Sequence, residues 1–155
     1  MKKLLFLILS VALLAGCSES YNVNDFLLED LQEQYNIIIT REGKDLVFEP
    51  KGEIKAGVAF YPGGKVDMHA YAPLLAKITR EGYLCILYHM PSDLAIMKPN
   101  AAKKVRKRYD VDKWYIGGHS LGGVCAAMCL NSHDEVFDGI FFLASYSSKD
   151  ISDFE

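Results

Sequence analysis

The sequence lacks an excess of positive charge. Its 155 residues hold 17 lysines and arginines against 20 aspartates and glutamates, which gives a formal net charge of −3. Proteins that bind nucleic acid present a basic surface to the phosphates, so we expect no nucleic-acid partner. Cysteine is scarce as well, and four cysteines are too few for a disulfide scaffold. The composition is half hydrophobic, which excludes a disordered chain.

A run of apolar residues long enough to cross a membrane is also missing, since a spanning helix needs roughly 20 of them. The apolar run at residues 4–15 is shorter than that and follows Lys2 and Lys3. A basic start and a short apolar core are typical of a signal peptide. The run ends on Leu-Ala-Gly-Cys at residues 14–17, which resembles the lipobox of bacterial lipoproteins. The alternative is an ordinary secretory signal with a chance cysteine.

The lipobox resemblance implies a domain organisation and a location. In such lipoproteins the peptide is cut before the cysteine, here Cys17, which then carries acyl chains such as palmitate. We therefore expect a signal peptide at residues 1–16, a polar tether at 17–24 and a folded domain at 25–155. The protein is expected in the cell envelope, anchored to a membrane by lipid and facing outside the cytoplasm.

The folded part shows strands that alternate with helices. Apolar runs predict four buried strands, at residues 56–61, 83–88, 114–116 and 139–144. Helical spacing predicts three helices, the first ending at residue 81 and the others at residues 100–109 and 121–130. Asn100 is a candidate N-cap of the second helix. Upstream lie a short predicted helix at 25–35 and an antiparallel hairpin of strands 36–40 and 45–49. We predict an α/β fold of three layers, with a doubly wound, mostly parallel sheet and an N-terminal hairpin.

The motif that carries chemistry is Gly-x-Ser-x-Gly, formed by Gly118, Ser120 and Gly122. It lies between an apolar strand and a helix, where a serine on a sharp turn projects its hydroxyl from the end of the sheet. The helix that follows offers backbone N–H groups to a developing negative charge. Neither a phosphate-binding loop nor a dinucleotide-binding glycine pattern fits these residues. The alternative is a tight turn without catalysis.

The chain here resembles the alpha/beta-hydrolase fold family, and more narrowly a bacterial group with a dienelactone-hydrolase-like core. The segments that carry the likeness are residues 60–67, with Tyr-Pro-Gly-Gly-Lys-Val, residues 71–75 and residues 114–123. The resemblance implies that Ser120 is the nucleophile and that the Leu121 and Gly64 N–H groups form the oxyanion hole. It implies a small acyl substrate such as an ester, and neither a metal nor an organic cofactor. The alternative is a non-catalytic lipoprotein that uses this fold as a binding module.

A base and an acid for Ser120 are not evident in the sequence. In this fold the order is serine, then acid, then histidine, whereas His133 alone follows Ser120 and no acid lies between them. His69 and His89 follow strand ends and could line the site, or could be ordinary surface histidines. Asp150 follows the fourth parallel strand, one strand earlier than the family's usual acid. We therefore expect the domain at 25–155 to be incomplete at its C-terminus.

Five basic residues lie close together near the second predicted helix. They form either a solvated helix face or a patch for anions or a membrane surface, and we favour the solvated face. The five are Lys103, Lys104, Arg106, Lys107 and Arg108.

Three cysteines lie in apolar surroundings, namely Cys85, Cys125 and Cys129. We expect all three to be reduced and buried, because a buried free cysteine behaves as a small hydrophobe. Metal binding by Cys125 and Cys129 is the less favoured alternative, since no histidine or acid clusters beside them.

Overall fold

The computed structural model of the chain describes residues 26–130 and 136–152. The predicted signal peptide at 1–16, the tether at 17–24, Cys17 and His133 lie outside these residues.

A single sheet of six strands runs through the described part of the chain, in the order β1-β2-β4-β3-β5-β6. The strands are β1 (Ile37–Glu42), β2 (Asp45–Pro50), β3 (Ala56–Tyr61), β4 (Tyr83–Leu87), β5 (Trp114–His119) and β6 (Gly139–Leu143). Strands β3 to β6 pair in parallel, and the hairpin of β1 and β2 joins β4 through an antiparallel pairing. The predicted mostly parallel sheet with an N-terminal hairpin is confirmed.

The hairpin turn is tighter than the sequence suggests. Arg41 and Glu42, which the pattern assigns to the connection, extend β1 and pair with Leu46 and Asp45. Gly43 has φ +64°, a left-handed conformation that lets two residues close a hairpin. This leaves Gly43 and Lys44 alone as the turn.

Helices cover both faces of the sheet. They are α1 (Phe26–Tyr35), α2 (Ala72–Arg80), α3 (Val105–Arg108) and α4 (Leu121–Cys129). Helices α1 and α2 bury residues such as Leu31 and Leu75 against Phe48 and Phe60. On the other face, α3 and α4 pack with Trp114, Ile116 and Tyr61. Full burial of one such side chain stabilises the fold by about 1.5–3 kcal/mol, so the two apolar layers hold the three-layer fold together.

The predicted helix over 100–109 is wrong in its first half. A 3-10 helix (Ala101–Lys104) precedes the single turn of α3. Asn100 makes no capping hydrogen bond. Instead the buried Tyr61 hydroxyl accepts from Ala102 N at 2.9 Å and donates to Pro99 O at 2.9 Å. A side chain about 40 residues earlier in the chain thus sets the backbone here.

Among the helices of the described residues, none is long and apolar enough to cross a membrane.

Candidate active site

Ser120 lies at the junction of β5 and α4, at the carboxyl end of the parallel strands. Its backbone has φ +50° and ψ −123°, a conformation that serine rarely adopts. The residue is exposed, and its side chain makes no capping bond to α4. Within the described part of the chain its hydroxyl has no hydrogen-bond partner. The turn therefore holds an unengaged hydroxyl above the end of the sheet.

Gly118 and Gly122 let the end of β3 approach the turn. A Cβ atom built on Gly118 would lie 2.5 Å from Tyr61 O and 2.6 Å from Gly122 C. One built on Gly122 would overlap the carbonyl oxygens of Tyr61 and Pro62. Since Cβ atoms do not approach backbone this closely, any larger residue would push the loop after β3 away from Ser120.

Backbone and side-chain hydrogen bonds fasten the turn to the segment after β6. Ser120 N donates to Leu143 O at 3.0 Å, and Ser145 Oγ donates to Ser120 O at 2.6 Å. The sequence gives no signal for Ser145, because a serine in a loop after a strand is common. Its position becomes evident only when β6 is seen beside β5.

The two N–H groups expected to form an oxyanion hole belong to neighbouring residues in space. A Cβ atom built on Gly64 would lie 3.1 Å from Leu121 Cδ2. Gly64 is in the loop after β3, and Leu121 begins α4 directly after Ser120. Neither N–H has a hydrogen-bond partner among the residues that the structure describes. Two unengaged amides next to a serine hydroxyl can stabilise a negative oxygen in a tetrahedral adduct.

The imidazole ring of His69 is held by two side chains, those of Asp67 and of Arg41 in the hairpin. Its Nδ1 lies 2.6 Å from Asp67 Oδ1, and its Nε2 lies 3.2 Å from Arg41 Nη2. Arg41 belongs to β1, the edge strand of the hairpin, and Asp67 lies in the loop after β3. Both ring nitrogens of His69 thus have partners other than Ser120.

His89 also lies on the hairpin side, where its backbone N–H donates to Asp45 Oδ1 at 2.9 Å. His119 directs Nδ1 to the Tyr71 hydroxyl at 3.0 Å. None of these three histidines hydrogen-bonds to Ser120 in the described part of the chain.

Asp150 is exposed, and Ser152 N donates to its Oδ1 at 3.0 Å. This backbone hydrogen bond lowers the pKa of Asp150. The carboxylate therefore stays ionised, and no histidine ring bonds to it among the described residues.

Groups of three or more metal-ligating side chains are absent from residues 26–130 and 136–152. Cys85, Cys125 and Cys129 are free and buried, as predicted.

A cleft of about 780 Å³ lies far from Ser120. It is bordered by Lys55 and Gly82, which precede β3 and β4, and so marks the amino ends of the parallel strands. Open α/β sheets bind their substrates at the opposite, carboxyl ends. The geometry therefore favours the end that carries Ser120 as the active site.

The described part of the chain thus combines a mostly parallel sheet with a serine on a strand-to-helix turn and two free amides beside it. The chain belongs to the alpha/beta hydrolase family, whose model matches residues 57–155. Residues 1–18 match the model of the prokaryotic membrane lipoprotein lipid attachment site.

Solved structures of similar fold include TT1662 from Thermus thermophilus, with a TM-score of 0.60 and 14% identity over 77% of this chain and 62% of that one. The Francisella virulence factor BioJ has a TM-score of 0.55 and 16% identity over 81% of this chain and 51% of its own. The thermostable carboxylesterase EstE1, cloned from a metagenomic library, has a TM-score of 0.51 and 16% identity over 80% and 55%.

The chain thus spans between about half and three fifths of the length of these structures. At such identities the likeness establishes the fold alone. No curated protein sequence matches the chain significantly.

Proposed function

We propose that the protein is a serine hydrolase that cleaves an ester or similar acyl substrate through an acyl-enzyme on Ser120. The observation that carries the proposal is the exposed, unpartnered hydroxyl of Ser120 beside the Gly64 and Leu121 N–H groups.

In the proposed reaction Ser120 Oγ attacks the carbonyl carbon and loses its proton to a base. The carbonyl oxygen becomes an oxyanion that accepts hydrogen bonds from the N–H groups of Gly64 and Leu121. Collapse of this adduct breaks the ester C–O bond, and the alcohol leaves with the proton. Water then attacks the acyl-enzyme and releases the acid.

We do not assign the base to a described histidine, because His69 bonds Asp67 and Arg41, His89 N donates to Asp45, and His119 faces Tyr71. We propose that it comes from residues other than these, together with an acid that orients it. Because no described histidine hydrogen-bonds to Ser120, a second candidate also remains: a binding module that keeps the fold without catalysis.

We further propose that the mature protein begins at Cys17 and is anchored to a membrane of the cell envelope, facing outside the cytoplasm. The match of residues 1–18 to the lipid attachment site supports this. The catalytic domain then acts on a small acyl substrate close to the membrane.

The two candidate functions, a serine hydrolase and a binding module, predict different rates of ester hydrolysis. The protein from its natural reading frame should hydrolyse p-nitrophenyl acetate or butyrate, and Ser120→Ala should lower kcat at least 10³-fold. Where that frame continues beyond residue 155, the 155-residue chain should be far slower, because it would lack the base and retain only oxyanion stabilisation. Equal rates for wild type and Ser120→Ala would exclude the proposed reaction and favour the binding module.

A further inference from the structure

The side chain of Tyr71 joins the two segments that carry the oxyanion donors. Its hydroxyl accepts from Gly63 N at 2.9 Å and lies 3.0 Å from His119 Nδ1. Gly63 precedes Gly64 in the loop after β3, whereas His119 precedes Ser120 at the end of β5. One hydroxyl therefore spans the gap between this loop and the turn at Ser120.

The hydroxyl is itself held in place. The Tyr71 ring packs against Phe60, which is fully buried, with ring centroids 5.1 Å apart. It also packs against the imidazole of His119, with centroids 5.8 Å apart. Partial burial raises the pKa of Tyr71, so the phenol keeps its proton at neutral pH.

The Gly63 hydrogen bond fixes the Tyr71 oxygen as an acceptor, and the direction of the Tyr71–His119 hydrogen bond depends on the His119 tautomer. Gly63 N–H can only donate, so the Tyr71 oxygen is its acceptor. The phenolic proton is then free to point at His119 Nδ1, which accepts in the tautomer that carries its proton on Nε2. In the other tautomer the phenolic proton would have no acceptor among the described residues.

The loop has a second anchor on the other side of Gly64. Lys65 N donates to Asp93 O at 2.8 Å, with Lys65 in a left-handed conformation of φ +59°. Gly64 thus lies between two residues whose amides are fixed, and its own N–H is left unengaged. The direction of that N–H depends on both anchors.

We propose that Tyr71 is a positioning residue, which fixes the Gly64 N–H relative to the Leu121 N–H by bridging Gly63 and His119. The inference rests on the proposed function of Ser120. It predicts that loss of one oxygen atom slows acylation without unfolding the protein, because misplacing a catalytic group costs rate steeply.

The test is Tyr71→Phe in the protein from its natural reading frame, with Tyr83→Phe as the matched control. Tyr83 is a half-buried tyrosine whose hydroxyl has no hydrogen-bond partner in the described part of the chain. Three quantities are measured: the rate at which a fluorophosphonate acylates Ser120, amide hydrogen exchange at Gly63 by NMR, and the ¹⁵N shifts of His119. The Lys65 amide serves as the internal reference for exchange.

In Tyr71→Phe we expect acylation to slow about tenfold and the Gly63 amide to exchange about tenfold faster. The Lys65 amide should be unchanged, and the Nδ1 resonance of His119 should move. Tyr83→Phe should match the wild type in every readout. Unchanged acylation in Tyr71→Phe would overturn the positioning role while leaving the proposed function standing. Absence of Ser120 acylation in the wild type would overturn the function itself, and the positioning role with it.

Discussion

At the scale of single residues, the closest contact in the site is between Gly122 and the end of β3. The carbonyl oxygens of Tyr61 and Pro62 occupy the space that a side chain at position 122 would need. These oxygens are backbone atoms and cannot rotate away. A larger residue must therefore displace either the loop that carries Gly64 or the first turn of α4.

We predict that Gly122→Ala lowers the free energy of unfolding by about 1–3 kcal/mol, the usual cost of overpacking. The matched control is Gly52→Ala, because a Cβ atom there would meet no atom within 4 Å. The control should change stability by less than about 0.5 kcal/mol. Urea denaturation followed by circular dichroism measures both, and equal stabilities would contradict the packing described for the turn.

Cys85 gives the fold a dependence on alkaline pH. Burial raises the pKa of its thiol to about 12. Because the folded state disfavours the thiolate, this contribution to stability is complete below about pH 9 and is lost as the pH rises toward 12. Burial also raises the pKa of Tyr61 and of Tyr88, which adds to the same trend.

We expect the free energy of unfolding to fall from pH 8 to pH 11 in both wild type and Cys85→Ala. The fall should be larger in wild type, by roughly 2–3 kcal/mol. Both proteins should still lose stability, because the buried tyrosines remain. The measurement is urea denaturation at the two pH values. Identical losses in the two proteins would show that the thiol is not buried as described.

At the scale of elements, Arg106 on α3 forms hydrogen bonds to the residues that precede β5 and β6. Its guanidinium donates to Val136 O at 2.8 Å, to Asp138 Oδ2 at 2.5 Å and also to Asp112 O. Asp138 Oδ2 in turn accepts from Trp114 N at 2.7 Å, at the first residue of β5. Arg106 thus has a structural role in the basic group, rather than being a solvated side chain.

Arg106→Met should therefore lower the free energy of unfolding by about 1–2 kcal/mol, since charge-assisted bonds are lost but the site is partly solvated. Lys107→Met removes an exposed neighbouring charge and should change stability by less than about 0.5 kcal/mol. Thermal or urea denaturation distinguishes the two. A cost for Lys107→Met as large as that for Arg106→Met would point to net charge instead of these bonds.

The sequence predicts those elements whose signal is local. Runs such as residues 56–61 are apolar throughout because both faces of the strand are covered, and the turn at Ser120 has its glycines within two residues. The start of the helix at 100–109 was not predictable, because the distant Tyr61 hydroxyl takes the Ala102 N–H.

The same distinction holds in the site. Ser120, Gly118 and Gly122 form a motif, whereas Tyr71 and Ser145 meet the turn at separations of 48 and 25 residues. A tyrosine in an amphipathic stretch or a serine in a loop has no pattern that assigns it to a site. The positions of His69 and His89 were likewise not predictable, since they depend on where the hairpin adds to the sheet.

At the scale of the whole molecule, a match to a lipid attachment site at residues 1–18 precedes the hydrolase-family match at residues 57–155. We predict that the protein expressed in bacteria is cut before Cys17, is acylated there and partitions into detergent. Cys17→Ala should lack both the acyl mass and the cut before residue 17. Intact mass and detergent partitioning decide this, and a wild-type protein that keeps Met1 or is cut elsewhere would contradict it.

The proposed function requires that the folded molecule present Ser120 as a nucleophile. The most direct measurement is mass spectrometry of the native protein, from its natural reading frame, after reaction with a fluorophosphonate. We expect one adduct, mapped to the peptide that contains Ser120, which is absent in Ser120→Ala and after denaturation. An unmodified native protein, or an identical adduct in Ser120→Ala, would contradict it.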